Sequence, residues 1–160
     1  MMLLEGFEGY VTLGDIISSR KWRIIPKSKG VYSIISPEGF IPKYTATGSG
    51  GYYKGTNPNV AVPTLLDKWV DTANILYIGK AGASDQKTTL NDRIKAYMLF
   101  GSGKNRPHSG GRYIWQLSNV LKLSIAWKIC DDGEEPIILE RQLLNQFIAE
   151  YGKLPFANLV

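Results

Sequence analysis

The chain has 160 residues, of which 44% are hydrophobic and 21% charged. That balance suits one globular domain with its own core and excludes a disordered chain. The longest apolar runs are far too short to span a bilayer, and the opening Met-Met-Leu-Leu-Glu-Gly lacks the basic start and long apolar core of a signal peptide. One cysteine, Cys130, excludes an internal disulfide and a cysteine-built zinc site; the expected setting is cytoplasmic. The net charge of +5, from 19 Lys and Arg against 14 Asp and Glu, fits either plain solubility or a polyanionic partner.

Taken in order, residues 1–9 carry no pattern. Leu13 to Ser19 reads as one or two helical turns, with Thr12 as cap and Asp15 three residues on. Arg20, Lys21, Arg23, Lys27 and Lys29 follow with no acid among them, around Trp22. Gly30 to Ile35 is a β-branched and aromatic strand stopped by Pro37. Residues 36–73 read as an insertion, too small for a core of its own. It holds a glycine-rich loop, Tyr52, Tyr53 and Lys54, and a helix from Thr64 to Val70 with Pro63 near its start. Ile75 to Ile78 is the second strand, and Gly79 is expected to end it and to let a ligand approach the backbone. A helix runs from about Thr88 to Phe100, with Leu90, Ile94 and Tyr97 on one face and Arg93 at the edge of that face.

Residues 101–112 form a basic, glycine-rich connection carrying Lys104, Arg106, His108 and Arg112. Arg112 to Leu117 reads as a short strand or turn. Leu121 to Ile129 alternates as a third strand with one wet face. Pro136 opens the last helix, which extends to about Tyr151, with Gly152 as its cap. Glu140 falls on or near its packing face. The expected fold is therefore α+β: one domain, 1–160, with a small, three-stranded, mainly antiparallel sheet flanked by helices.

Several chemistries fail at this stage. Gly101-Ser102-Gly103-Lys104 lacks the spacing and the following Ser or Thr of a phosphate-binding loop, so no nucleotide cofactor is expected. One histidine cannot build a histidine metal cluster, and Cys130 has no triad context. What remains is Tyr32, Tyr77, Lys80, Arg93 and Glu140. Each has a dull explanation, but a carboxylate near an apolar helix face needs a partner.

Gly30-Val31-Tyr32 and Tyr77-Ile78-Gly79 resemble the two name-giving motifs of the GIY-YIG nuclease family. Arg93, in the helix after the second motif, resembles the family's arginine. Glu140, on a late helix, resembles its metal-binding glutamate. Asn158 in Pro155-Phe156-Ala157-Asn158 resembles its asparagine, and Lys80 the lysine of restriction-enzyme members. The 45-residue gap between Tyr32 and Tyr77 departs from the family's tight hairpin, and Gly51-Tyr52-Tyr53 offers a rival first motif. The resemblance implies a divalent-metal-dependent endonuclease acting on double-stranded DNA, with a homodimer as in small restriction enzymes. Tyr32 would act as base with Tyr77 orienting, and Lys80 nearby would lower the phenol pKa. Arg93 would clamp phosphate, and Glu140 would hold one Mg²⁺ or Mn²⁺. DNA contacts are expected from Lys21, Arg23, Lys27, Lys29, Lys54, Lys104, Arg106, His108 and Arg112. The alternatives are a DNA-binding module of the same fold that does not cut, and a small protein-interaction domain whose charges are structural.

Overall fold

The computed structural model describes residues 2–106, 108 and 110–159. Strands β1 (Glu8–Thr12), β2 (Gly30–Ile35), β3 (Ile75–Ala81) and β4 (Ser124–Ile129) form one sheet. Their order is β1-β4-β2-β3, and every neighbouring pair is antiparallel. Helices α1 (Leu13–Ser19), α2 (Val62–Lys68), α3 (Leu90–Gly101) and α4 (Pro136–Tyr151) complete an α+β domain.

The sheet thus has four strands where three were expected. The extra one, β1, is short and bulged between Gly9 and Val11, with Gly9 and Tyr10 both at positive φ. A bulge breaks the two-residue alternation by which a strand is read from sequence. The start of β4 is also corrected. Residues 120–122 form a 3-10 turn with Leu121 exposed, and pairing begins at Ser124. Arg112–Gln116 is a 3-10 turn in which Tyr113, Ile114, Trp115 and Gln116 are all buried.

The helix ends follow their local chemistry. Thr12 caps α1 by accepting from the Asp15 amide at 3.1 Å. Thr89 and Asp92 cap α3 reciprocally, at 3.1 and 2.9 Å. Gly152, at φ 80°, ends α4 and returns its N–H to the Ile148 carbonyl at 2.7 Å.

The sheet is a central layer. Tyr32, Ile34, Tyr77, Ile125 and Trp127 share a core with Leu90, Ile94 and Tyr97 of α3. Val31, Ile78 and Ala126 share a second core with Leu143 and Phe147 of α4. Residues 36–73 leave and rejoin the sheet side by side, since the Ser36 amide donates to the Asn74 carbonyl at 2.8 Å. Buried Gln116 anchors them. Its side chain donates to the carbonyls of Thr45 and Val60 and accepts from the Val60 amide.

The C-terminal segment bonds to the outer edge of β3. The Ala157 amide donates to the Leu76 carbonyl at 2.8 Å, and Asn158 bonds both the N–H and the C=O of Ile78, at 3.0 and 2.9 Å. Among the described residues, the hydrogen bonds of the C-terminal segment to this edge fall on Leu76 and Ile78.

Candidate active site

Tyr32 stands directly across from Gly79, and Tyr77 across from Ile34. Opposed residues of an antiparallel pair project to one side, and so do residues two apart. The two phenol rings therefore meet diagonally on the α3 side of the sheet, with centroids 6.0 Å apart and edges turned to faces. Gly79 is required by this packing. A Cβ added there would lie 2.7 Å from the Tyr32 hydroxyl oxygen and 2.5 Å from its Cζ. This corrects the reading of Gly79 as a strand end: β3 continues to Ala81, and the group that approaches its backbone is the Tyr32 ring.

Tyr32, Tyr77, Lys80, Arg93 and Glu140 line one cleft of about 340 Å³, together with Gly82, Gln86 and Thr88. Tyr32 and Tyr77 come from β2 and β3, Arg93 from the first turn of α3, and Glu140 from the second turn of α4. Lys80 pairs across from Val31, so it leaves the sheet on the α4 side. The cleft lies at the Lys80–Gly82 end of β3, where side chains from both layers meet.

The electrostatics differ from expectation at Tyr32. Burial pushes its phenol above the ordinary tyrosine range, and the Arg93 charge, with hydrogen bonds to Tyr77 and Arg93, acts against that. The cation beside Tyr32 is thus Arg93 rather than Lys80, and burial wins, so the free phenol is protonated at neutral pH. Tyr77 is pushed well up by burial and by its contact with Tyr32. Lys80 acts on Glu140 instead. Partial burial raises that carboxyl, while Lys80 and Arg141 draw it down.

Glu140 is the single acid lining the cleft, and no group of three His, Cys, Asp or Glu side chains gathers among the described residues. One half-buried carboxylate fits a hard, oxygen-seeking divalent ion that keeps most of its waters and shares a substrate phosphate. It does not fit a tight resident metal.

Two expected site residues have other surroundings. Asn158 is buried, and its amide is spent on the Ile78 backbone, so it holds β3 in place rather than contacting a substrate. His108, expected on a DNA-facing surface, is 1% exposed. Its ring stacks on Tyr97, with centroids 4.1 Å apart and planes 12° off parallel, and its Nε2 lies 3.1 Å from the Tyr32 hydroxyl. Burial and the nearby Arg93 charge lower its pKa to about 3, which leaves no cation to offer a phosphate. Sequence reasoning missed this contact because His108 lies among exposed basic residues.

The basic residues divide into three places. Lys29 donates to the Glu134 backbone carbonyl at 2.6 Å and lies 4.0 Å from the Glu135 carboxylate, so a remote backbone oxygen and a remote acid claim the end of a stretch that has no acid of its own. Lys54 and Arg112 line a pocket with Tyr53 and Phe100. Arg20, Lys104 and Arg106 meet around Trp22 in a groove of about 660 Å³, joined by Lys95. Lys21, Arg23 and Lys27 are exposed on the segment that follows Arg20. Lys95 was missed, although its two-residue offset from Arg93 places it on the opposite face of α3. The groove therefore opens across the helix from the cleft.

Comparison with protein-family models, with curated proteins and with solved structures gives no match to this chain.

Proposed function

We propose that the chain is a divalent-metal-dependent endonuclease that hydrolyses phosphodiester bonds of double-stranded DNA, with a GIY-YIG-like site. The observation that carries this reading is one cleft at a sheet edge holding two phenols, a guanidinium, an ammonium and one carboxylate from four separate elements. Hydrolysis of a phosphodiester needs those parts. A planar guanidinium matches two nonbridging oxygens, so Arg93 clamps the phosphate. Tyr32 and Tyr77 orient a water toward phosphorus. Glu140 holds the divalent ion, which when bound polarises the phosphate and supports the leaving oxygen. Tyr32 is protonated in the free site, so it meets the water as a neutral hydroxyl.

The test is cleavage of plasmid and genomic DNA with Mg²⁺ or Mn²⁺, with EDTA, and with Arg93→Ala and Glu140→Ala. Loss of cutting in EDTA and in both variants supports the proposal. Metal-independent cutting, or full activity of Glu140→Ala, rejects it.

A second reading rests on the groove of Arg20, Lys95, Lys104 and Arg106, which offers a phosphate track separate from the cleft. A binding module would need only that surface. Removing one phosphate-binding cation lowers the slope of log affinity against log salt by about 0.9. Duplex binding that falls with Lys104→Ala and Arg106→Ala, in a wild type that never cuts, would favour the module.

A further inference from the structure

Tyr32 has a partner on the side away from the cleft. Its hydroxyl oxygen is 3.1 Å from His108 Nε2, within a hydrogen bond. On the cleft side the Tyr32 ring meets Tyr77, with centroids 6.0 Å apart. Arg93 has only donors to offer. A phenol beside Arg93 keeps its own proton to give, and a neutral imidazole nitrogen can accept it. With Tyr32 as the donor the imidazole proton lies on Nδ1, a buried atom with no hydrogen-bond partner among the described residues.

The surroundings hold the ring in place. His108 is buried, it lies flat on Tyr97, and the Tyr97 hydroxyl is itself tied to the Gly111 carbonyl at 2.6 Å. The imidazole thus sits behind the cleft tyrosine.

We infer that His108 acts through Tyr32 as a positioning residue: it holds the phenolic proton away from the cleft and receives that proton as Tyr32 takes one from the attacking water. This rests on the hydrolytic reading of the cleft. In the step, a water O–H bond breaks and its proton passes to the Tyr32 oxygen, while the phenolic proton passes to Nε2. The water oxygen forms the new bond to phosphorus. The bond to the leaving oxygen breaks, its electron pair stays on that oxygen, and solvent protonates it. His108 then returns its proton to Tyr32, and Tyr32 releases one to solvent. Burial first, and the Arg93 charge second, keep the imidazole neutral in the free site, and the negative charge of a bound phosphodiester offsets the second of these.

Two measurements on the full chain test this. His108 is the chain's one histidine, so nitrogen NMR of the imidazole needs no assignment by mutagenesis. The expected spectrum is a neutral ring protonated on Nδ1 at pH 7, with the Nε2 signal moving in Tyr32→Phe. A proton on Nε2, or no response to Tyr32→Phe, overturns the inference whatever the activity. The second is steady-state cleavage by His108→Leu and His108→Gln, each first shown to melt cooperatively. Both should lose about 100-fold in kcat, the scale of general base catalysis, with KM little changed. Combining either with Tyr32→Phe should add no further loss. Wild-type kcat in His108→Gln, which can accept a hydrogen bond but not a proton, overturns the transfer. A wild type that does not cut rejects the hydrolytic reading and this role with it, and the spectrum then reports separately on the hydrogen bond.

Discussion

Gly79→Ala is the substitution that most directly probes how the cleft is built. Gly79 is not among the residues at positive φ, so alanine fits its backbone. Removing glycine restricts the unfolded chain and by itself stabilises by about 0.4–1 kcal/mol. Against this, the new methyl would lie 2.5 Å from Tyr32 Cζ and 2.7 Å from its hydroxyl oxygen. The ring cannot simply swing aside, because Tyr77 and Tyr97 pack on it at 6.0 and 6.3 Å between centroids. Forcing a methyl into such packing costs about 1–3 kcal/mol. The strain is the larger quantity, and a net loss of about 1–2 kcal/mol is expected. At a urea m-value of about 2 kcal/mol/M, the midpoint drops by about 0.5–1 M. The decisive control is the same substitution in Tyr32→Leu, where the ring is gone. There Gly79→Ala should cost less than about 0.5 kcal/mol, giving a coupling of about 1 kcal/mol between the two sites. An equal loss in both backgrounds, or no loss in the wild type, would refute the claim that the Tyr32 ring dictates the glycine.

Three further outcomes are expected. Asn158→Ala frees both Ile78 backbone bonds and should destabilise by about 2 kcal/mol, with faster hydrogen exchange at the Ile78 amide as the direct readout. Gln116→Leu strands the Val60 amide and the Thr45 and Val60 carbonyls, at about 1–3 kcal/mol for each group left unsatisfied, and limited proteolysis should open residues 45–60 first. His108 has a folded pKa of about 3 against 6.5 unfolded, so between those values the unfolded chain binds the extra proton. Its contribution is present above pH 6.5 and is lost as pH falls, at up to about 1.4 kcal/mol per unit. Glu140, raised by burial, runs the other way and loses stability as pH rises past the ordinary carboxyl range. Comparison with His108→Gln isolates the first effect: between pH 6.5 and 5 the wild type should lose about 2 kcal/mol more than the variant. Parallel stability curves would show that the His108 ring is open to water rather than buried against Tyr97.

Local signals made most of the scaffold legible. Thr12 with Asp15, and Pro136 with Gly152, mark helix ends through residues close in sequence, and those ends appear where the sequence places them. The strands holding Tyr32 and Tyr77 were visible as β-branched runs, and alternation placed Ile34 with Tyr32. The misses share another cause. His108 is buried by Tyr97 and Tyr32, Lys29 is claimed by Glu134 and Glu135, and Asn158 is consumed by Ile78. In each case the partner is distant in sequence, and the residue's own neighbours suggest a different fate. Arg93 and Glu140 reach the same cleft from opposite layers for a reason no single segment contains: β3 is an edge strand, and the cleft forms at its Lys80–Gly82 end.

The choice between Tyr32 and Tyr53 for the cleft tyrosine follows from register. A diagonal tyrosine pair needs two adjacent antiparallel strands with a residue lacking a Cβ where the first ring crosses, and Tyr32 has both in β3 and Gly79. Tyr53 has neither. It begins a 3-10 turn, Lys54 after it is left-handed at φ 53°, and it lines a pocket with Phe100 and Arg112. Gly51 also serves another contact. Its amide donates to the Phe100 carbonyl at 2.8 Å, and a Cβ there would run into the Lys104 carbonyl, so it docks the insertion on the end of α3. The long detour between the two strands is tolerable because closure entropy grows only with the logarithm of loop length. Gln116 and the Trp69–Phe156 contact, at 5.1 Å between centroids, fix the detour against the domain on its return. His108 lines the Tyr53 pocket and bonds Tyr32, and of the two tyrosines it is Tyr32 that shares the cleft with Glu140 and Arg93.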